Sequence, residues 1–202
     1  MNEIIYRQGI PKEFVSDAIE LYDEAFGKKI SLAIKSNEDR KKFLSHCFLP
    51  EYSISALMND KLVGIAGFQT PNDSMTGKIG YKGLISQLGL LKGNWAALIF
   101  SIYERTPQKG ELVMDGIAVH SVARGKGIGN RLLDEIKVYA VKHQFESIRL
   151  DVIDINPRAK KLYERKGFEV VRTEKLPYLK FFLGFGGYET MKFTIKKCDK
   201  KI

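Results

Sequence analysis

Between residues 14 and 26 the apolar positions Phe14, Val15, Ala18, Ile19, Leu21, Tyr22, Ala25 and Phe26 recur at three-to-four spacing. That period predicts an amphipathic helix ending near Gly27. A second helix is expected around residues 37–47. Tyr52–Ala56 and Leu62–Phe68 are rich in strand formers and flank Asn59-Asp60-Lys61, which predicts a hairpin over about 52–69, although Gly64 and Gly67 weaken its second strand. Pro, Asn, Asp, Ser and Gly gather between Pro71 and Gly83, so a loop should precede the apolar segment Leu84–Tyr103.

Glu111–Val171 is the most legible stretch. Leu112–Val119 reads as a mostly buried strand, and Ile128, Leu132, Leu133, Ile136 and Ala140 then recur at helical spacing. Ser147–Val152 alternates apolar Ile148, Leu150 and Val152 with Arg149 and Asp151, the period of a strand. Asn156-Pro157 supplies an N-cap and a first-turn proline, and Gly167 a C-terminal stop. Seven residues separate Asn156 from Tyr163, so two helical turns place them on one face.

Between the first strand and its helix lies Arg124-Gly125-Lys126-Gly127-Ile128-Gly129. Alternate glycines permit close backbone approach by a ligand. The first N–H groups of a helix lack carbonyl partners and carry the positive end of its dipole, which suits phosphate, and Arg124 and Lys126 add full charges. A Walker loop would need G-x-x-x-x-G-K-[ST] and a dinucleotide fingerprint G-x-G-x-x-G, whereas this chain has G-x-G-x-G. Taken alone, the glycines are equally compatible with a structural turn.

The order strand, R-G-K-G-I-G, helix, strand, N-P-x-A-x-x-L-Y-E-x-x-G-F resembles the GNAT superfamily of acetyl-CoA-dependent N-acetyltransferases. The resemblance is strong over about residues 111–171 and looser outside them. It implies an α/β fold of mixed α+β type: a central twisted mixed β-sheet, flanked by helices, whose two parallel strands splay apart to admit a pantetheine arm. It further implies that Ile117, Ala118 and Val119 pair with the pantetheine amides. Arg124, Gly125, Lys126, Gly127, Ile128, Gly129 and Asn130 would hold the pyrophosphate, Asn156 would contact the pantetheine, and Tyr163 would sit near the thioester sulfur. Ser121 stands where members often carry proline, which bears on the stiffness of that turn.

Transfer to an amine needs a proton acceptor for the nucleophile and a proton donor for the departing thiolate. A phenol such as that of Tyr163 suits the donor, against the alternative of an aromatic packed on its helix face. Asp115 lies four residues before Val119, and strand alternation would place both on one face, where some members carry a carboxylate. Glu111 shares that parity farther from the cleft. Either carboxylate could act directly or through water, or be a solvated strand-end charge. The resemblance gives His120 no role, and His46 and His143 have no metal-ligand neighbours, so no metal is expected.

With 202 residues, one GNAT-like domain over 1–202 is expected, carrying an insertion at 71–109 near the acceptor site and a basic tail at 196–202. The formal charge of +9 favours anionic ligands. Basic residues are dispersed among acidic ones and no nucleic-acid motif occurs, so nucleic acid is not an expected partner. Cys47 and Cys198 show no metal or redox spacing, and the N-terminus lacks a secretory pattern, which together suggest a cytoplasmic protein. Ser86, Gln87, Lys92 and Asn94 interrupt the most apolar window, so no membrane span is expected. The expected partners are acetyl-CoA or CoA and an amine acceptor, with a homodimer left open. The competing reading is a GNAT-like module that binds acyl-CoA without catalysis, as a sensor or interaction domain.

Overall fold

The computed structural model describes residues 3–77, 81–103, 105–177, 180 and 184–196. Cys198 and the tail beyond Lys196 lie outside them. A seven-stranded mixed sheet runs in the order β1-β2-β3-β4-β5-β7-β6, built from β1 Ile4–Gln8, β2 Ser53–Met58, β3 Lys61–Gln69, β4 Glu111–Val119, β5 Ser147–Ile153, β6 Glu169–Lys175 and β7 Gly187–Thr194. The β2–β3 hairpin turns on Asn59 and Asp60, with φ of 51° and 54°, as a two-residue turn with both centres left-handed requires.

Helices α1 Val15–Ile30, α2 Asn37–Cys47, α3 Tyr81–Leu88 and α4 Leu90–Tyr103 bury one apolar core against the sheet. Its members include Leu21, Tyr22, Leu44, Ile65, Leu84 and Ala118. Helices α5 Ile128–Lys142 and α6 Pro157–Arg165 contribute to the other core, which gathers Leu112, Met114, Leu132, Leu133, Ile136 and Ile148.

Gly27 does not end α1, contrary to the sequence expectation. The helix continues for a further turn to Ile30, and Ser31 N–H closes it on Gly27 O. A side chain at Gly27 would collide with the Asp23 carboxylate. That carboxylate accepts from Arg40 Nε at 2.7 Å and Nη2 at 3.0 Å, tying α1 to α2 through a bidentate, largely buried pair. The apolar window after the loop folds as two helices broken at Gly89, whose φ is 78°. Trp95 Nε1 donates to Leu32 O at 2.7 Å and fastens α4 to the α1–α2 connection. Among the described residues, no helix is long and apolar enough to cross a membrane.

β4 pairs in parallel with β5 only at Glu111↔Ser147, Leu112↔Ile148 and Val113↔Arg149. Beyond these residues each strand keeps its outer partner, β3 or β7, and the facing edges part. The parting begins at a bulge. Met114 lies opposite Phe68 and Gly116 opposite Gly67, leaving Asp115 as the extra residue. An extra residue bends and further twists its strand, which carries the upper half of β4 away from β5.

Gly116 occupies φ 153°, and a Cβ there would run into the Phe26 ring of α1. Gly116→Ala should therefore destabilise the protein by about 1–3 kcal/mol, through overpacking and an unfavourable φ. Chemical denaturation measures this, and an unchanged midpoint would mean that the bulge does not depend on glycine.

Candidate active site

On the α1 side of the splayed strands lies a cavity of about 850 Å³. Tyr22, Phe26, Phe43, Leu84, Ala97 and Phe100 supply much of its apolar wall, from α1, α2, α3 and α4. Pro71, Ser74, Thr76, Arg105, Thr106 and Pro107 also reach it, so the segment 71–109 provides a large share of the lining. Val113 and Asp115 bring β4 into the same wall.

Asp115 Oδ2 is cut off from solvent and makes no hydrogen bond. Burial pushes the carboxyl up to about 6, while the Arg105 guanidinium and the Thr76 backbone draw it back only in part. Arg105 forms an ion pair with Asp151, whose side chain is almost fully buried on β5. Arg149 Nη2 also donates to Thr106 O at 3.3 Å. Residues 105–106 are thus strapped to β5, which holds Arg105 beside Asp115. Neither Arg105 nor Asp151 was singled out from the sequence. Arg105 lies outside any recognisable motif, and Asp151 reads as an ordinary polar position of an alternating strand.

Strand alternation does not carry Asp115 and Val119 to one face, because the bulge interrupts the alternation at Asp115. Val113 and Asp115 face the cavity, whereas Ile117 and Val119 pack on the α5 side and Ala118 on the α1 side. Glu111 retains its parity with Asp115, but it is buried and committed: Arg149 Nε lies at 3.4 Å, Lys192 Nζ at 3.3 Å, and Gln108 N–H donates at 3.3 Å.

The glycine-rich loop is exposed at Arg124, Gly125, Lys126, Gly127 and Asn130. Gly125 and Gly127 adopt φ of 81° and 77°, and a Cβ on either would meet open space; Gly129 has only Val119 Cγ2 nearby, at 4.0 Å. Gly127 is the N-cap of α5 and no side chain caps that end, leaving the first N–H groups without an intrahelical partner. An open turn at an uncapped helix end has the shape and polarity that suit a phosphate group, and here buried Ile128 closes its inner side. Arg124 Nε donates to Val119 O at 3.1 Å and joins the loop to the end of β4. Ser121, in the position where proline is common, begins a single 3-10 turn, Ser121–Ala123, so the turn forms without proline.

Asn156 caps α6, its Oδ1 accepting from Ala159 N–H at 3.2 Å. Tyr163 packs its ring 6.0 Å from that of Phe168. Burial raises its phenol to about 12, and the hydroxyl makes no hydrogen bond among the described residues. His46 Nδ1 contacts Lys42 O at 2.6 Å, and His143 stacks on Tyr139. Among the described residues no group of His, Cys, Asp and Glu is arranged to hold a metal.

The profile of the acetyltransferase (GNAT) family matches residues 15–168. The chain is a member of the GNAT acetyltransferase family. No curated protein matches it by sequence. Among solved structures it is similar to an acetyltransferase at 21% identity and TM-score 0.63, covering 95% of this chain and 100% of that one. It is similar to a GCN5-related N-acetyltransferase from Kribbella flavida at 17% identity and TM-score 0.61, covering 95% and 98%. It is also similar to the ribosomal-protein-S18-alanine N-acetyltransferase from Escherichia coli at 18% identity and TM-score 0.55, covering 100% and 99%. At these identities the likeness is one of fold. The family uses acetyl-CoA as cosubstrate, and the open glycine cradle with its uncapped helix end fits the phosphates of such a molecule.

The Asp115 carboxyl binds its proton more tightly folded than unfolded, rising from 3.8 to about 6. Its contribution to stability is therefore fully present below about pH 3.8 and is lost as pH rises through 6. Asp115→Asn should accordingly stabilise the protein at pH 7–8, by at most about 3 kcal/mol, and change it little near pH 4. Denaturation at both pH values checks this, and equal effects at the two would show that the carboxylate is not desolvated.

Proposed function

We propose that this protein is an N-acetyltransferase that moves an acetyl group from acetyl-CoA to a primary amine by direct attack on the thioester. The observation carrying the reading is the solvent-shielded, unpartnered Asp115 oxygen in a cavity beside the gap between β4 and β5. An ammonium must shed a proton to expose the lone pair that attacks, and this position offers a proton acceptor away from water.

Acetyl-CoA, when bound, supplies the activated acyl group and a thiolate leaving group. The chain supplies the rest. The unpaired edge of β4 at Ile117, Ala118 and Val119 offers backbone donors and acceptors to the pantetheine amides. Arg124, Gly125, Lys126, Gly127, Ile128, Gly129 and Asn130 hold the pyrophosphate at the α5 N-terminus. Asn156, an exposed residue at the N-cap of α6, contacts the pantetheine arm. Asp115 accepts the amine proton, and above about pH 6 it is ionised and able to do so. Burial destabilises carboxylate and ammonium alike, so the transfer between them is easier in this cavity than in water. Tyr163, kept protonated by its raised phenol, gives a proton to the departing sulfur. In sum the N–C bond forms and the C–S bond breaks; of the two protons an ammonium acceptor loses, one leaves by way of Asp115 to solvent and the other replaces the proton that Tyr163 gives to sulfur. Glu111, saturated by Arg149 and Lys192, is poorly suited to the acceptor role.

Release of free thiol from acetyl-CoA in the presence of amines tests the reaction. Acetyl-CoA binding with no thiol release for any amine would favour a non-catalytic acyl-CoA-binding module.

Acetyl-CoA should raise the melting temperature by mass action, and Gly129→Leu should weaken CoA binding at least about tenfold. Gly129 is the cleaner probe than Gly127, because its φ is ordinary and the space beside it is open. Calorimetric titration measures the loss, and unchanged affinity would remove the loop from the binding site.

Tyr163→Phe keeps the ring against Phe168 and deletes only the hydroxyl. If the hydroxyl is the proton donor, kcat should fall at least about tenfold with CoA affinity and melting temperature near wild type; general-acid help is typically about 10² to 10⁴. An unchanged kcat would leave Tyr163 a packing residue.

A further inference from the structure

The cavity beside Asp115 is large enough for a whole small molecule, about 850 Å³, within the range of ligand sites. Its wall combines aliphatic Ile30, Leu44 and Leu84 with two aromatic pairs. Tyr22 and Phe26 lie 4.8 Å apart, and Phe43 and Phe100 stack at 5.6 Å. Among the described lining residues the only charged side chains are Arg105 and Asp115. Arg105 is already engaged by Asp151, so the two carboxylates and one guanidinium leave a local excess of one negative charge. This reverses the sign of the whole chain, whose formal charge is +9.

Resting on the acetyltransferase reading above, we propose that the acceptor is a primary monoamine with an aromatic or bulky aliphatic body and no second charged group. The single cationic head is drawn to Asp115, and the body fills the apolar wall, where burial of apolar area drives binding. A carboxylate next to the amine would be brought up to Asp115 and Asp151, with Arg105 already occupied. A second ammonium would have to leave water for a wall with no counter-charge among the described residues. Acetylation turns the cationic head into a neutral amide, which loses its attraction to Asp115 and favours release of product.

The test is a matched acceptor panel on the intact protein, scored by thiol release from acetyl-CoA, with acetyl-CoA protection against thermal unfolding recorded in parallel. Phenethylamine should exceed phenylalanine in kcat/KM at least about tenfold, and phenylalanine methyl ester should recover most of that loss, because it keeps the bulk and removes the charge. Hexylamine should exceed cadaverine by a similar factor. Ala97→Phe, which projects a ring into the cavity, should raise KM for phenethylamine at least about tenfold while KM for acetyl-CoA changes less than about twofold. Ala97→Leu provides a milder filling should the larger side chain prevent folding. Preference for phenylalanine, cadaverine or a peptide N-terminus overturns the acceptor class, as does thermal protection by acetyl-CoA without transfer to any apolar monoamine. An unchanged amine KM in a folded cavity-filling variant overturns the cavity as the acceptor site. Failure of acetyl-CoA to protect would overturn the acetyltransferase reading itself, and the acceptor class with it.

Discussion

Two parallel strands that stop exchanging hydrogen bonds partway along their length leave backbone donors and acceptors facing a gap. β4 and β5 do this after Val113 and Arg149, and the site is arranged around that separation. Unpaired backbone in a protein interior is costly unless something satisfies it. Here β3 and β7 hold the outer edges, so the inner edges can part without the sheet dissolving, and a ligand with amides of its own is the natural partner for them. The bulge at Asp115 does two things at once: it bends β4 away from β5, and it sets Ile117 and Val119 on the face opposite to the Asp115 carboxylate. Gly116 makes the bend possible because Phe26 occupies the space that a side chain would need.

The same carboxylate illustrates a conflict between folding and chemistry. Desolvation pushes the Asp115 carboxyl up to about 6, which at neutral pH costs stability and, in the proposed reaction, suits it to accept a proton. Arg105 limits the cost. It sits close enough to draw the carboxyl down, yet its ion pair with Asp151 keeps it from closing on Asp115. One guanidinium shared between two strands that diverge thus tunes a charge and fastens the start of β4 to β5. Helices α3 and α4 complete the wall of the cavity with Tyr81, Leu84, Ala97 and Phe100, and Trp95 locks α4 onto the α1–α2 connection.

Much of this is legible in the sequence, because it depends on neighbours along the chain. The 3.6-residue period of Ile128, Leu132, Leu133 and Ile136 and the alternation of Ile148, Leu150 and Val152 each have one dominant solution. Asn156-Pro157 caps α6 as those residues predict, and the glycines at 125 and 127 take the left-handed conformations that a phosphate cradle needs. The resemblance that those motifs carry in their order implied the mixed sheet and the family, and both are found. Gly27 is the instructive exception. As a local signal it stops a helix, but the Asp23–Arg40 pair lies over it and rewards a glycine inside the helix instead.

Tertiary structure decided the features whose causes are distant in sequence. Alternation assigned Asp115 and Val119 to one face, and a register shift against β3 separated them, since a bulge is fixed by the partner strand and not by the strand that carries it. The 71–109 segment read as a loop followed by an apolar stretch; only its packing made it a helical hairpin and much of the wall of a cavity. Arg105 and Asp151 are unremarkable as letters and meet only because β4 and β5 lie side by side. Local periodicity determined which elements form, and the two motifs in their order carried the resemblance to the family. The electrostatics of the cavity came from residues brought together across the sheet, because Coulomb interactions and desolvation depend on distance in space and not on distance along the chain.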